Sequence, residues 1–238
     1  TDKAAKPSSL MGISKLMMEH KLKSIHKKYK NISVSSARFA NVSFSKGSIL
    51  EHALESINKK NFFGIPSNVK RYFITPEESG ELCIMSALLG NNCDIFFPKL
   101  TSGLKETTFS KIALNYLDEL GYTPKICHSE EEAREMCNYE QKIKEWPCLF
   151  TTSDTTGEKS FEEFYTNAEE VDNSRFENLG VIINDLKVND QYLDLFISEI
   201  DRMKKKGFWS KEELVALFKS GQPNFQHTEM KKNLDDKM

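Results

Sequence analysis

The sequence predicts an α/β fold with parallel strand pairing. Three observations carry this: four helix starts written in one capping code, short apolar runs lying between those helices, and 238 residues of which 39% are hydrophobic, 16 of them Phe, enough to bury a sizeable core. The first helix runs through Met11, Met18, Leu22, Ile25 and Tyr29, which recur at helical spacing and share one face. A strand is expected over Ile32 to Phe39. Ser48 with Glu51 opens the second helix, a capping residue followed three positions on by a glutamate that can answer the cap's own N–H. Thr75 with Glu78 opens the third, with Pro76 at its first position and Gly90 at its end. A second strand covers Asp94 to Phe97. The helix from Phe109 to Leu120 puts Phe109, Ile112, Ala113, Tyr116, Leu117 and Leu120 on one face and stops at Gly121, the pattern of a helix that covers a sheet. A strand over Tyr122 to Cys127 precedes a helix capped by Ser129 with Glu132, and a last strand spans Gly180 to Ile183. Beyond Asn189 come two helices, Tyr192 to Lys206 and Lys211 to Ser220. The second is capped by Ser210 with Glu213, and Gly207 lies between them.

Charge and composition exclude several functions. Lys+Arg of 33 against Asp+Glu of 35 gives a net charge of −2, which argues against a polyanion binder relying on gross charge. The basic runs Lys21 to Lys30 and Lys204 to Lys206 read as solvated faces or a helix C-terminus rather than a nucleic-acid contact. No stretch approaches the roughly 18 apolar residues of a membrane helix, and a cytoplasmic protein is the expectation. Five cysteines without a C-x-x-C pair and five scattered histidines predict neither a disulfide framework nor a metal site.

Lys15 falls inside the apolar stripe of the first helix. A lysine there must be snorkelling, paired or functional, because burying a lone ammonium costs several kcal/mol. Its neighbours are distinctive. Thr1-Asp2-Lys3 lies upstream and Met11-Gly12-Ile13-Ser14-Lys15 follows. Ser36-Ala37-Arg38-Phe39-Ala40-Asn41-Val42, Ser45-Lys46-Gly47-Ser48-Ile49, Arg71-Tyr72-Phe73-Ile74-Thr75-Pro76-Glu77-Glu78 and Gly157-Glu158-Lys159 with Glu162-Glu163 come in order behind them. Together these segments resemble the extended short-chain dehydrogenase/reductases, specifically the CapD-like nucleotide-sugar 4,6-dehydratases of polysaccharide biosynthesis.

The resemblance implies the C-terminal part of a Rossmann-like doubly wound parallel sheet, with a smaller α/β substrate-binding lobe and a helical C-terminal tail. Residues 1–100 would hold the second half of the NAD-binding and catalytic domain and the start of the substrate lobe. Residues 101–185 would form that lobe, and 186–238 the helical extension. The first half of the domain, with its glycine-rich turn, is expected before residue 1. The implied reaction takes hydride from C4 of a nucleotide-linked N-acetylhexosamine onto NAD, loses water across C5 and C6, and returns hydride to C6. Lys15 would bind the nicotinamide ribose, with Phe39 as a second cofactor contact. Lys3 would be the C5 base, since a desolvated lysine near a second cation can be neutral, and Asp2 the C6 acid in a water-poor pocket. By itself an Asp-Lys dipeptide is an ordinary surface ion pair; its coupling to Met11-x-x-x-Lys15 gives it weight. Met11 stands where most of the superfamily has tyrosine and can do no acid–base work, which leaves the C4 hydroxyl proton to Thr1, Asp2 or a bound water. Arg71 would grip the diphosphate, Asn41 the sugar or diphosphate, Lys46 and Ser48 the substrate, and Glu158 the nucleotide ribose. Thr155-Thr156 and Lys46 depart from the family pattern, so uridine and guanosine both stay open. A homo-oligomer is expected by family analogy, with no nucleic acid and no membrane segment. The alternatives are a 4-epimerase, which needs no C5 base, and a non-catalytic sugar-nucleotide binder, since the chain contains no G-x-G-x-x-G.

Overall fold

A computed structural model describes residues 1–100, 106–138, 144–153, 162–183, 188–222 and 225–227. A 3-10 turn, Asp2–Ala4, precedes α1 (Leu10–Lys28), and the chain continues through β1 (Ser36–Ala37), β2 (Asn41–Val42), α2 (Ile49–Asn58), β3 (Phe63–Pro66), β4 (Lys70–Arg71), β5 (Phe73–Ile74) and α3 (Pro76–Leu89). Next are β6 (Ile95–Pro98), β7 (Thr107–Thr108), α4 (Phe109–Glu119), β8 (Thr123–Cys127), α5 (Glu130–Asn138) and β9 (Glu145–Thr151). The described elements end with β10 (Glu170–Asp172), β11 (Leu179–Ile183), α6 (Asp190–Lys206) and α7 (Lys211–Gly221).

All four caps named from sequence sit where expected, each hydroxyl accepting the backbone N–H three residues on. At Thr75 and Ser210 the glutamate returns the bond to the cap's own N–H, closing the reciprocal box. At Ser48 and Ser129 it reaches one residue further back, to the N–H of Gly47 and of His128.

Two sheets organise the chain. In the first, ordered β1-β6-β11-β10, β1 pairs parallel with β6, while β11 pairs antiparallel with both β6 and β10. The second, β3-β9-β8, is parallel throughout. Short pairs, β2 parallel with β5 and β4 antiparallel with β7, lie between them in sequence. Alternation along β6 sends Ile95 and Phe97 to one core cluster, with Phe164 and Ile182, and Phe96 to another, with Leu82 of α3 and Val181. Both faces of β6 are covered, which is why Ile95 to Phe97 reads as an unbroken apolar run. Around the second sheet, Phe109, Ala113 and Leu117 of α4 pack against Phe63, Ile65, Trp146 and Cys148, the face expected of that helix.

Three expectations need correction. The strand read over Ile32 to Phe39 contracts to Ser36–Ala37, because only Ser36 and Ala37 find ladder partners on β6. The strand at Gly180 pairs antiparallel rather than parallel: it follows β10 through a short connection, pairs antiparallel with it, and lies antiparallel beside β6 as well. The stripe on α1 does not face the core: Met11, Met18, Leu22 and Tyr29 are 60%, 59%, 37% and 47% exposed. Ile13 and Met17 on another face meet Leu193 of α6, Phe218 of α7 and Phe225 instead. A period identifies a stripe but not its direction.

Candidate functional site

Gly12 sets the geometry at the start of α1. A Cβ on Gly12 would lie 2.8 Å from the Lys3 carbonyl oxygen and 3.2 Å from Pro7 Cβ, so only glycine lets the Asp2–Ala4 turn lie directly against the helix. Thr1 caps that turn. Its hydroxyl is 3.1 Å from Asp2 Oδ1, and its nitrogen donates to the Ala37 carbonyl of β1 at 2.8 Å. Asp2 is buried while Lys3 is exposed. Positions 12, 15 and 19 recur at helical spacing, so Lys15 lies on the strip of α1 between Gly12, which meets the turn, and Glu19, which meets Arg38 beyond β1. Lys15 is half-buried, and among the described residues it makes no ion pair or hydrogen bond.

The second wall is built by backbone pairing. The Asn41 N–H donates to the Tyr72 carbonyl at 3.1 Å, and the Tyr72 N–H donates to Glu162 Oε2 at 3.0 Å. Glu162 Oε1 lies 3.7 Å from Arg71 Nε. Arg71 is buried, with its guanidinium 5.9 Å from the Phe109 ring centroid and Nη1 donating to the Lys70 carbonyl. Burial pushes the Glu162 carboxyl up to about 7, and the nearby Asp2 charge adds to that; the Tyr72 N–H, Arg71 and Lys3 oppose it. Glu163 is ion-paired with Lys6. The segment from Glu162 therefore straps the Asp2–Ala4 turn to the β4–β5 corner.

A buried ion cluster stands behind this site. Arg38, only 1% exposed, directs its guanidinium to Glu19 at 3.0 and 2.7 Å, to Glu169 at 3.0 and 2.7 Å and to the Phe164 carbonyl at 2.8 Å. Burial works against charge at Glu169, but the Arg38 bonds outweigh it and hold that carboxyl below the ordinary range.

The structure thus brings together Thr1, Asp2, Lys3, Arg71 and the backbone of Asn41, with Lys15 on the adjoining helix strip. Other candidates lie apart. Met11 is exposed. Phe39 packs between two core clusters at the end of β1. Lys46 is exposed and the Ser48 hydroxyl serves as a helix cap, and no hydrogen bond or ion pair among the described residues links either to Asp2, Arg71 or Glu162. Glu158 lies outside the described residues. In the sequence Glu162 stands out only as part of a motif and Glu169 not at all; for Glu19 the available sign is a charged residue within an apolar helix pattern. Among the described residues no cluster of His, Cys, Asp or Glu could hold a metal, and no helix is long and apolar enough to cross a membrane.

No curated protein matches the chain. Pen from Bacillus thuringiensis has a similar structure, with a TM-score of 0.59 at 18% identity over 79% of this chain and 51% of that one. A UDP-N-acetylglucosamine 4-epimerase from Methanobrevibacter ruminantium M1, solved in complex with UDP-N-acetylmuramic acid, gives a TM-score of 0.47 at 18% identity, covering 81% and 55% of the two chains. The chain spans about half the length of these solved structures. The likeness to Pen shows a shared Rossmann-like α/β fold. The model of a family described as polysaccharide biosynthesis protein matches residues 1–184, from the Thr1-Asp2-Lys3 turn through β11. The chain belongs to that polysaccharide biosynthesis protein family.

Proposed function

We propose that the protein is an NAD-dependent nucleotide-sugar 4,6-dehydratase acting on a UDP- or GDP-linked N-acetylhexosamine. The observation that carries this reading is the seating of the Asp2–Ala4 turn on Gly12. It places a buried carboxyl and an exposed amine next to the strip of α1 that bears Lys15. Dehydration needs both a base at C5 and an acid at C6. Lys3 takes the C5 proton. Since Lys3 is exposed, the desolvation that frees its amine comes from the bound sugar. Asp2 protonates the departing C6 hydroxyl from a site already sheltered from water. Arg71 holds the diphosphate by charge-assisted bonds, and Asn41 orients the sugar from the start of β2. When bound, NAD would supply the redox chemistry, accepting hydride from C4 and giving it back at C6, while the C4 hydroxyl proton passes to Thr1, Asp2 or a bound water and Lys3 returns its proton to C5. Lys15 and the end of β1 are this chain's contribution to its pocket, Lys15 holding the ribose hydroxyls and lending positive potential to the C4 oxygen.

The test is incubation with NAD and UDP- or GDP-N-acetylglucosamine, read by mass spectrometry. Loss of one water with one of the two nucleotides is the expected outcome. An unchanged mass with altered C4 configuration identifies an epimerase, and no change with either nucleotide overturns the reading. Lys3→Ala is expected to abolish water loss while leaving nucleotide affinity within about twofold; unchanged turnover removes Lys3 from the base role.

A further inference from the structure

Glu162 is a buried ionisable group beside Asp2 and Arg71 that the dehydration scheme does not use. Its side chain is 3% exposed, and that of Arg71 beside it is 10% exposed. Oε2 is satisfied by the Tyr72 N–H, but Oε1 is buried and makes no hydrogen bond among the described residues; Arg71 Nε at 3.7 Å is too far for one. Among the described residues, the charged and titratable groups facing it are Asp2 and Lys3 of the 3-10 turn, Arg71 of β4, and the Tyr72 ring, which also feels Glu106. Glu162 thus sits between the Asp2 charge on one side and the Arg71 guanidinium on the other, with the exposed Lys3 ammonium nearby. A diphosphate that engaged Arg71 would bring at least two further negative charges to the same cation.

We propose that Glu162 makes anion binding at this site proton-coupled: ionised and facing Arg71 while the site is empty, it takes up one proton on Oε1 when a diphosphate engages Arg71. The proton comes from solvent, and no bond other than the new O–H forms or breaks. It turns the orphaned acceptor into a donor aimed at the incoming phosphate, while Oε2 keeps its bond from Tyr72. The burial that already holds this carboxyl up near 7 makes the uptake easy in the neutral range. The inference rests on Arg71 being the diphosphate contact, as in the proposed function.

The experiment is calorimetric titration of the purified protein with UDP, and in parallel with GDP, between pH 6 and 9 in buffers of different ionisation enthalpy. For the diphosphate that binds more tightly, wild type is expected to take up close to one proton at pH 8. Its affinity is expected to fall by up to about tenfold per pH unit above 7. Glu162→Gln keeps an acceptor for the Tyr72 N–H. It is expected to take up no proton, to match wild type within about twofold at pH 6, and to bind about tenfold more tightly at pH 8.5. Arg71→Met separates the two failures. If it weakens binding while wild type shows neither proton uptake nor pH dependence, the proton coupling is wrong and the Arg71 contact stands. If it leaves affinity unchanged, or neither diphosphate binds wild type, the Arg71 contact fails and the coupling with it. Equal proton uptake by wild type and Glu162→Gln also overturns the assignment, and the wild-type pH series stands whether or not a variant folds.

Discussion

Arg38 places five donor bonds on two carboxylates and a carbonyl without contact with solvent. Such a cluster is a weak source of net stability compared with apolar packing, but breaking it is severe because the partners stay buried and charged. Arg38→Met is therefore expected to destabilise the protein by about 3–5 kcal/mol at pH 7, measured by urea unfolding. The pH dependence follows from Glu169, whose folded carboxyl titrates below its ordinary range. Its contribution is complete above the unfolded value, near 4.5, and is lost as pH falls through the lower folded value. The gap between wild type and Arg38→Met should thus narrow as pH drops below 4.5, and a gap constant from pH 7 to 3.5 would count against the ion cluster as its cause. Little of this was legible in the sequence. Arg38 stood out only as part of a motif, and its partner Glu169 lies 131 positions away, where no local period can pair them.

At the scale of elements, α1 shows what patterning reveals and what it leaves open. Its helical nature and its apolar stripe were readable, but the stripe points outward. The buried face is set by Ile13 and Met17, whose partners come from α6, α7 and Phe225, and by a charged Glu19, whose partner Arg38 follows β1. The capped helices were readable because a cap is a local bond between residues three apart. The strand β9 was not. Pro147 interrupts its pattern, yet pairing with β3 begins only at Cys148, and the carbonyl of Asn61 just before β3 accepts the Trp146 indole N–H at 3.1 Å. The contact between α1 and the Asp2–Ala4 turn gives the sharpest expectation here. In Gly12→Ala the new methyl meets the backbone at Lys3, not a side chain that can swing away, so the turn must shift. The variant should lose about 1–3 kcal/mol of stability by thermal unfolding and, on the proposed function, lose turnover more than nucleotide affinity. Equal losses in both would argue that the turn does not position catalytic groups.

Over the whole molecule, the first residues, the middle of the chain and the helical end close on one another. The turn at Asp2 meets the strap at Glu162, α1 meets α6 and α7, and the strap's Phe164 enters the core beside Ile95 and Ile182. The order of the family-like segments was legible from sequence because each is contiguous. Their convergence was not, since Asp2, Arg71 and Glu162 are joined by sheet pairing and by a strap rather than by spacing. The span of the Arg38 cluster also bears on the path by which the protein folds. Two of its bonds reach back 19 residues, while the other three reach forward 126 and 131. The long loops must close before those forward bonds can form, so they belong after the folding transition state. Glu169→Gln should accordingly speed unfolding and leave the refolding rate within about twofold in stopped-flow experiments. On this view the guanidinium is a late-set latch that lengthens the lifetime of the native state without guiding the chain toward it.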